Sequence, residues 1–195
     1  MHPPPSFDPR AAQPSLQTPR LLLRALCDTD AEPIRRYAGD RRIAAMTLTL
    51  PHPYEAPAAQ AFIAAQREDY VRGLGVTFAL ERRSAGDLIG VVGLRANPEH
   101  EHAEIGYWVG VPFWSRGYAT EAARAVVDFA FEVRGYHRVF GRVYCGNRAS
   151  ERILERLGMR HEGCLREHLL RFGERQDVTC FGLLRRDWQA ARAQP

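Results

Sequence analysis

Lysine is missing altogether: all 27 basic Lys/Arg positions in the 195 residues are arginine. That absence removes several chemistries. A P-loop NTPase needs a lysine on its phosphates, a Schiff-base enzyme needs an amine, and a protein kinase needs its strand lysine. Cysteine is scarce. Cys27, Cys145, Cys164 and Cys180 are scattered and form no C-x-x-C pair, which points to reduced structural thiols rather than a disulfide framework. No apolar run approaches the roughly 20 residues needed to cross a bilayer. The opening Met1-His2-Pro3-Pro4-Pro5 has no apolar signal core. The expectation is a cytoplasmic protein with no membrane partner. The net charge of +4 is modest, and the arginines are dispersed among acids rather than gathered on one basic face. An anionic ligand fits that pattern better than nucleic acid does.

What remains is ordinary globular material, 45% hydrophobic and 26% charged, enough for one domain with a core. Residues 1–15 are Pro-rich and aperiodic, which predicts a disordered tail ahead of a domain over 16–190. Alternation predicts a first strand over Leu16–Leu26. Asp28 or Asp30 can cap a short helix through Ile34 and Tyr37. Gly39–Pro57 reads as irregular, and Ala58–Arg72 as a second helix. Val76–Glu81 and Leu88–Leu94 flank a Ser84-Ala85-Gly86-Asp87 turn as a hairpin. The second of these strands is apolar on both faces and therefore central. A strand ending at Val109, a long helix to Arg134, a strand over His137–Cys145 and a helix opening at Asn147 follow. Arg160–Phe172 and Val178–Leu184 close the chain as two more strands. The order β-α-α-β-β-β-α-β-α-β-β predicts an α/β (α+β) fold. Its sheet is mixed, mostly antiparallel and seven-stranded, with a central parallel pair across the long helix and helices on both faces.

The most informative stretch runs from Glu104 to Val127. Its strand half stops at Gly110-Val111-Pro112, because proline cannot donate to a ladder. Its helix half places Ala122, Ala123, Val126, Val127, Ala130 and Phe131 on one stripe. Between them, Trp114-Ser115-Arg116-Gly117-Tyr118-Ala119-Thr120 offers no Asp or Asn cap, although four backbone N–H groups need acceptors there. Gly117 and Ala119 leave those groups approachable and Arg116 adds a fixed charge. A diphosphate suits such a turn. The alternative is that Ser115 or Thr120 caps the helix and the glycine only makes the turn.

Taken together with Thr18–Arg24 (T-P-R-L-L-L-R), Glu104–Trp108 (E-I-G-Y-W), Trp114–Ala122 (W-S-R-G-Y-A-T-E-A), Asn147–Ser150 (N-R-A-S), Leu154–Met159 (L-E-R-L-G-M) and the closing D-V-T-C-F-G-L-L-R-R-D-W, the chain resembles the GNAT superfamily of acetyl-CoA-dependent N-acetyltransferases. It is most similar to the RimJ/RimL branch, whose members acetylate N-terminal amines of ribosomal proteins. The resemblance covers Pro19 to Trp188 and rests on the joint order of the pieces. It implies acetyl-CoA as co-substrate and no metal. The Val109–Val111 backbone would pair with the pantetheine arm, and the amides of Arg116, Gly117, Tyr118, Ala119 and Thr120 would hold the pyrophosphate. Trp114 stands where the superfamily motif has Gln or Arg, and Ser115 replaces a frequent glycine. Neither change blocks a site made of backbone.

Amine attack on a thioester needs a neutral amine, donors for the oxyanion and a proton for the leaving thiolate. The backbone N–H near Val109 is the candidate oxyanion donor, with a bulge at Gly110 expected to splay the parallel strands. Glu104 is the candidate base, acting directly or through water. It shares a strand face with Gly106 and Trp108, and a carboxylate near the floor of an aromatic cleft is the type of group that burial tunes for proton transfer. The alternative is that Glu104 pairs with an arginine or anchors the substrate amine. An α-amine is about 2.5 pKa units less basic than lysine, a difference of about 3 kcal/mol in deprotonation, so a water-linked carboxylate suits α-amines. Asn147 and Ser150 have the spacing of a helix cap and its partner. The resemblance implies instead that Asn147 orients the pantetheine or a water, with Ser150 near the sulfur. No tyrosine lies between 148 and 156 to serve as acid, leaving Ser150 or water. His100 and His102 lack a third ligand spacing for a metal, and Cys145 reads as a buried thiol. Gly39–Pro57 and the Gly173–Asp177 turn are expected to line the acceptor site. The rival functions are transfer to a small amine (a polyamine, amino acid or antibiotic) and a non-catalytic acyl-CoA-binding module. Either a monomer or a homodimer is compatible with the sequence.

Overall fold

The computed structural model describes residues 11–193. Eight strands form one sheet in the order β1-β2-β3-β4-β5-β6-β8-β7. The strands are β1 (Leu16–Gln17), β2 (Leu21–Ala25), β3 (Gly75–Arg82), β4 (Leu88–Asn97), β5 (His102–Val109), β6 (Arg138–Tyr144), β7 (Arg160–Arg171) and β8 (Glu174–Leu184). The helices are α1 (Ala31–Ala38), α2 (Arg41–Ala44), α3 (Ala56–Val71), α4 (Tyr118–Glu132), α5 (Arg148–Arg156) and α6 (Arg185–Ala193). The mixed sheet, the parallel β5–β6 pair and the helices on both faces are as expected.

Strand alternation divides the core into two. Phe78, Leu80, Val92, Leu94 and Ile105 meet the α4 stripe of Ala122, Ala123, Val126, Val127 and Ala130. Ala79, Val91 and Trp108 point the other way, onto Ile34, Ala38, Ala59 and Ile63 of α1 and α3. Each fully buried Leu, Ile, Val or Phe side chain among these contributes roughly 1.5–3 kcal/mol.

Three differences from expectation have local causes. The sheet has eight strands rather than seven. Thr18 N–H donates to the Leu21 carbonyl at 2.9 Å and Leu21 N–H to Thr18 Oγ1 at 3.0 Å, closing a turn around Pro19. Leu16 and Gln17 therefore fold back on β2 as a separate edge. Within Gly39–Pro57, Asp40 accepts from the Arg42 N–H and caps the short α2. The C-terminal α6, absent from the predicted order, docks on α4 through Trp188, whose Nε1 donates to Asp128 at 2.8 Å while its ring packs on Phe131. The Pro-rich tail expected over 1–15 lies outside the described residues up to residue 10. Beyond that point, Gln13 donates to the Thr77 carbonyl at 2.8 Å.

Candidate active site

Helix α4 starts without a side-chain cap. Its N-cap is Gly117, left-handed at φ 79°, and neither Ser115 nor Thr120 supplies an oxygen to the first turn. Ser115 is also left-handed, at φ 59°, so two such residues tighten the turn around Arg116. The backbone N–H groups of Arg116, Gly117, Tyr118, Ala119 and Thr120 reach no acceptor among the described residues. The one acid in the first turn, Glu121, is turned away from them. It accepts from Thr18 Oγ1 at 2.6 Å, from the Arg20 N–H at 2.9 Å and from Arg20 Nε at 2.6 Å. Burial pushes the Glu121 carboxyl up, but these donors outweigh it and hold it below the usual carboxylate range. Arg20 also donates to the Arg116 carbonyl at 2.8 Å and lies over the Tyr118 ring. The turn is thus a positively polarised, donor-rich surface that fits a diphosphate.

The sheet opens beside it. β5 and β6 pair only from His102/Arg138 to Glu104/Phe140 and then separate. The expected bulge at Gly110 is not the cause, because β5 keeps an unbroken register with β4 as far as Gly90/Val109. The opening lies on the β6 side instead, where Leu154 of α5 sits against Gly141 and near Ile105. A Cβ added at Gly141 would come within 2.9 Å of Leu154 Cδ2. Gly110 N–H donates to Ile89 of β4 at 2.8 Å. By ladder alternation the Val109 N–H therefore faces the opening, where an oxyanion donor is needed. The Val109 carbonyl accepts from Trp114 Nε1 at 2.6 Å. Val111 is not extended as a strand partner would be; it begins a 3₁₀ turn over Val111–Phe113.

A cavity of about 420 Å³ passes through the fork. On the α5 side it touches Tyr107, Val143, Ser150 and Leu154. On the α1/α3 side it touches Glu104, Gly106, Trp108, Arg142, Phe62, Gln66 and the loop Met46–Leu50. Glu104 lies at the last paired position. Both its oxygens accept from Arg142, at 2.8 and 2.9 Å, so the ion pair spans the diverging strands. A carboxylate has about four lone-pair sites, and two remain for an amine or a water.

Asn147 is buried, and both ends of its amide are engaged. Its Oδ1 caps α5 by accepting from the Ser150 N–H at 3.2 Å, while its Nδ2 donates to the Met46 carbonyl at 3.3 Å. The cap is real, and it also ties α5 to the loop lining the cavity. Cys145 is exposed rather than buried. No metal-ligating group of three occurs among the described residues.

Tyr107 escaped the sequence reading, which sought a tyrosine only on α5. Its hydroxyl reaches the Ser150 carbonyl at 3.4 Å from β5. Burial pushes this phenol well above its ordinary value, with the contact to Ser150 opposing in part. Alternation along β5 puts Tyr107 on the face opposite Glu104. What sequence spacing does not carry is that the first turn of α5 lies over that face.

An uncapped donor-rich turn beside a forked parallel pair suits a diphosphate-bearing co-substrate reaching into the sheet, and comparison with known proteins gives the class of transferase. The acetyltransferase (GNAT) domain family matches residues 20–160, and the chain belongs to that family of acetyl-transferring enzymes, which use acetyl-CoA. A relative named "Uncharacterized N-acetyltransferase YoaA", of Bacillus subtilis (strain 168), is 31% identical over 182 residues, covering 88% of this chain and 97% of YoaA. A crystal structure described as that of a "Probable acetyltransferase" superposes with a TM-score of 0.82 at 28% identity, over 89% of this chain and 98% of that one. RimL, described as a ribosomal L7/L12 alpha-N-protein acetyltransferase in complex with coenzyme A, shares the fold with a TM-score of 0.78. Its identity is 19%, over 86% of this chain and 95% of RimL. Among the described residues, no helix is long and apolar enough to cross a membrane.

Proposed function

We propose that the acceptor is the α-amino group of a protein N-terminus, reached from the α1/α3 side of the sheet. The observation that carries this reading is the cavity through the fork, which joins the face bearing Tyr107 and Ser150 to the pocket bearing Glu104. When bound, acetyl-CoA supplies an acetyl thioester activated toward amines. The chain's own groups do the rest. The amides of Arg116–Thr120 bind phosphate oxygens, and the Val109 N–H is aimed at the developing oxyanion. Glu104, held by Arg142, accepts a proton from the amine directly or through a water. Tyr107 Oη, kept protonated by its burial, and Ser150 Oγ are the two hydroxyls on the α5 side from which a proton can be supplied. Asn147 orients Ser150 through the cap.

An α-amine is favoured on two grounds. It needs less help to lose its proton than a lysine does. The charged groups lining the cavity also balance, Asp69 and Glu104 against Arg95 and Arg142, whereas a polyamine calls for an acidic pocket. The likeness in fold to RimL, by its description an alpha-N-protein acetyltransferase, is in keeping with this, and such an acceptor places the protein in the cytoplasm. A second reading, a small-molecule amine, is favoured by the short wall that Met46–Leu50 builds across the pocket. Thiol release from acetyl-CoA decides between them, measured against peptides beginning with Ala, Ser or Met, spermidine, free amino acids and aminoglycosides. The expected result is a kcat/KM at least tenfold higher for peptides. A small amine that outperforms every peptide overturns the proposal.

A further inference from the structure

The wall of the acceptor pocket is held from the far end of the chain. Arg171 closes β7, and its Nη2 donates to the Ala44 carbonyl at 2.8 Å and also to the Leu50 carbonyl. These two carbonyls bracket Met46–Leu50, the segment that lines the cavity. Asn147 holds a third carbonyl, that of Met46, between them. The next residue, Phe172, completes the grip: its ring meets His52 edge-on at 6.1 Å, and the guanidinium of Arg41 lies 5.9 Å from its centre. Phe172 and Gly173 form the two-residue turn between β7 and β8, at φ 50° and 83°. Such a turn needs both residues left-handed, which a bulky aromatic resists. Strain of that kind persists where surrounding contacts over-determine it. Here those contacts run to residues 41 and 52, on either side of the wall.

We infer that Arg171 is a specificity-determining positioning residue: from the tip of the β7–β8 hairpin it fixes the Met46–Leu50 wall, and so sets which amines fit beside Glu104. This rests on the proposed function to the extent that the α1/α3 side of the cavity is where the acceptor binds. A neutral side chain of similar length keeps the packing and releases both carbonyls. The wall then moves outward, and discrimination between small and large acceptors falls. The cofactor's turn at Arg116–Thr120 belongs to another part of the molecule and is left alone.

The test uses the full chain, as wild type, Arg171→Met and Arg171→Lys. Thiol release from acetyl-CoA is measured with peptides differing only in the first residue: Ala, Ser, Met or Phe. In the methionine variant, KM for the preferred peptide should rise at least tenfold with kcat within threefold. The kcat/KM ratio of small over large first residues should shrink at least tenfold. Acetyl-CoA affinity by calorimetry should stay within twofold, and lysine should restore part of the ratio. Hydrogen exchange should quicken at least tenfold over residues 44–52 and not in β3–β5. A selectivity and KM equal to wild type overturns the inference. So does a parallel loss of kcat, acetyl-CoA affinity and protection across the whole sheet, which marks general destabilisation. If the methionine variant fails to fold, Phe172→Gly removes the ring contacts and tolerates the left-handed turn. It should move KM and selectivity in the same direction, and an unchanged selectivity there counts against the inference. A wild type that turns over small amines but no peptide sinks the peptide reading alone, and selectivity is then scored on those amines.

Discussion

Glu104 sits where two demands meet. It ends the paired part of β5 and β6, and it is one of two carboxylates, with Asp69, that line the cavity. Its bidentate bond to Arg142 fixes the direction of its free lone pairs, a positioning that freely rotating carboxylates lack. Glu104→Gln keeps the shape and one carbonyl oxygen but removes the proton acceptor. General base catalysis typically contributes 10²–10⁴-fold, so kcat at pH 7 should fall about 100-fold. Acetyl-CoA affinity by calorimetry should change less than twofold, because the turn at Arg116–Thr120 lies outside this ion pair. A pH–rate profile identical to wild type would remove Glu104 from the base role. At this scale the sequence was informative about residue type and strand face, and its alternative that Glu104 pairs with an arginine is what the structure shows, but it did not say which arginine. Arg142 lies 38 positions from Glu104, and Tyr107 meets Ser150 across 43. Neither distance in sequence leaves a periodic trace.

Among the elements, the start of α4 was the most legible, because a missing cap is a local property of adjacent residues. The structure adds what occupies the space beside it: the turn after β1 delivers three donors to Glu121, from Thr18 Oγ1, the Arg20 N–H and Arg20 Nε, so the acid in the first turn is bound away from the N–H groups. A similar arrangement recurs at Asp30. Burial there pushes the carboxyl up, and Arg24 with the Cys27 N–H more than offsets it. Both groups have folded pKa values below their unfolded ones, near 4. Their contributions are therefore complete above about pH 5 and fade as pH falls through the lowered folded values. Thermal unfolding of wild type and Glu121→Gln should differ most at pH 6 and converge toward pH 3, with wild type the more stable at pH 6. A difference that widens on acidification would contradict this account. The elements that were missed lack a periodic signal of their own. The two-residue β1 is too short for alternation, α2 is a single capped turn, and α6 presents no fully buried residue.

For the whole molecule, the architecture follows from alternation in β3, β4 and β5, which builds one core against α4 and another against α1 and α3. That much is readable from apolar positions. The splaying of the parallel pair was expected too, but its cause is not readable there: it lies at Leu154 seated against Gly141 once α5 has docked, not at a bulge at Gly110. Because the cavity pierces the sheet there, its two ends belong to different layers, and a blockade of one should spare the other. Gly106 offers the means. It lies on the Glu104 face of β5 and lines the cavity, and a Cβ added there meets nothing within 4 Å. Its neighbours impose no close backbone approach, in contrast to Gly93, where an added Cβ would come within 2.8 Å of the Val76 carbonyl. Gly106→Leu should therefore fill the acceptor end at little structural cost. Substitutions of that kind change stability by about 0.5 kcal/mol, which for a chain of this size is roughly 1–2 °C in Tm. Thiol release with the preferred amine should fall at least tenfold while acetyl-CoA still binds within twofold of wild type by calorimetry. Equal losses at both ends would mean that the cavity is not divided by the sheet, and undiminished turnover would mean that the amine enters by another route.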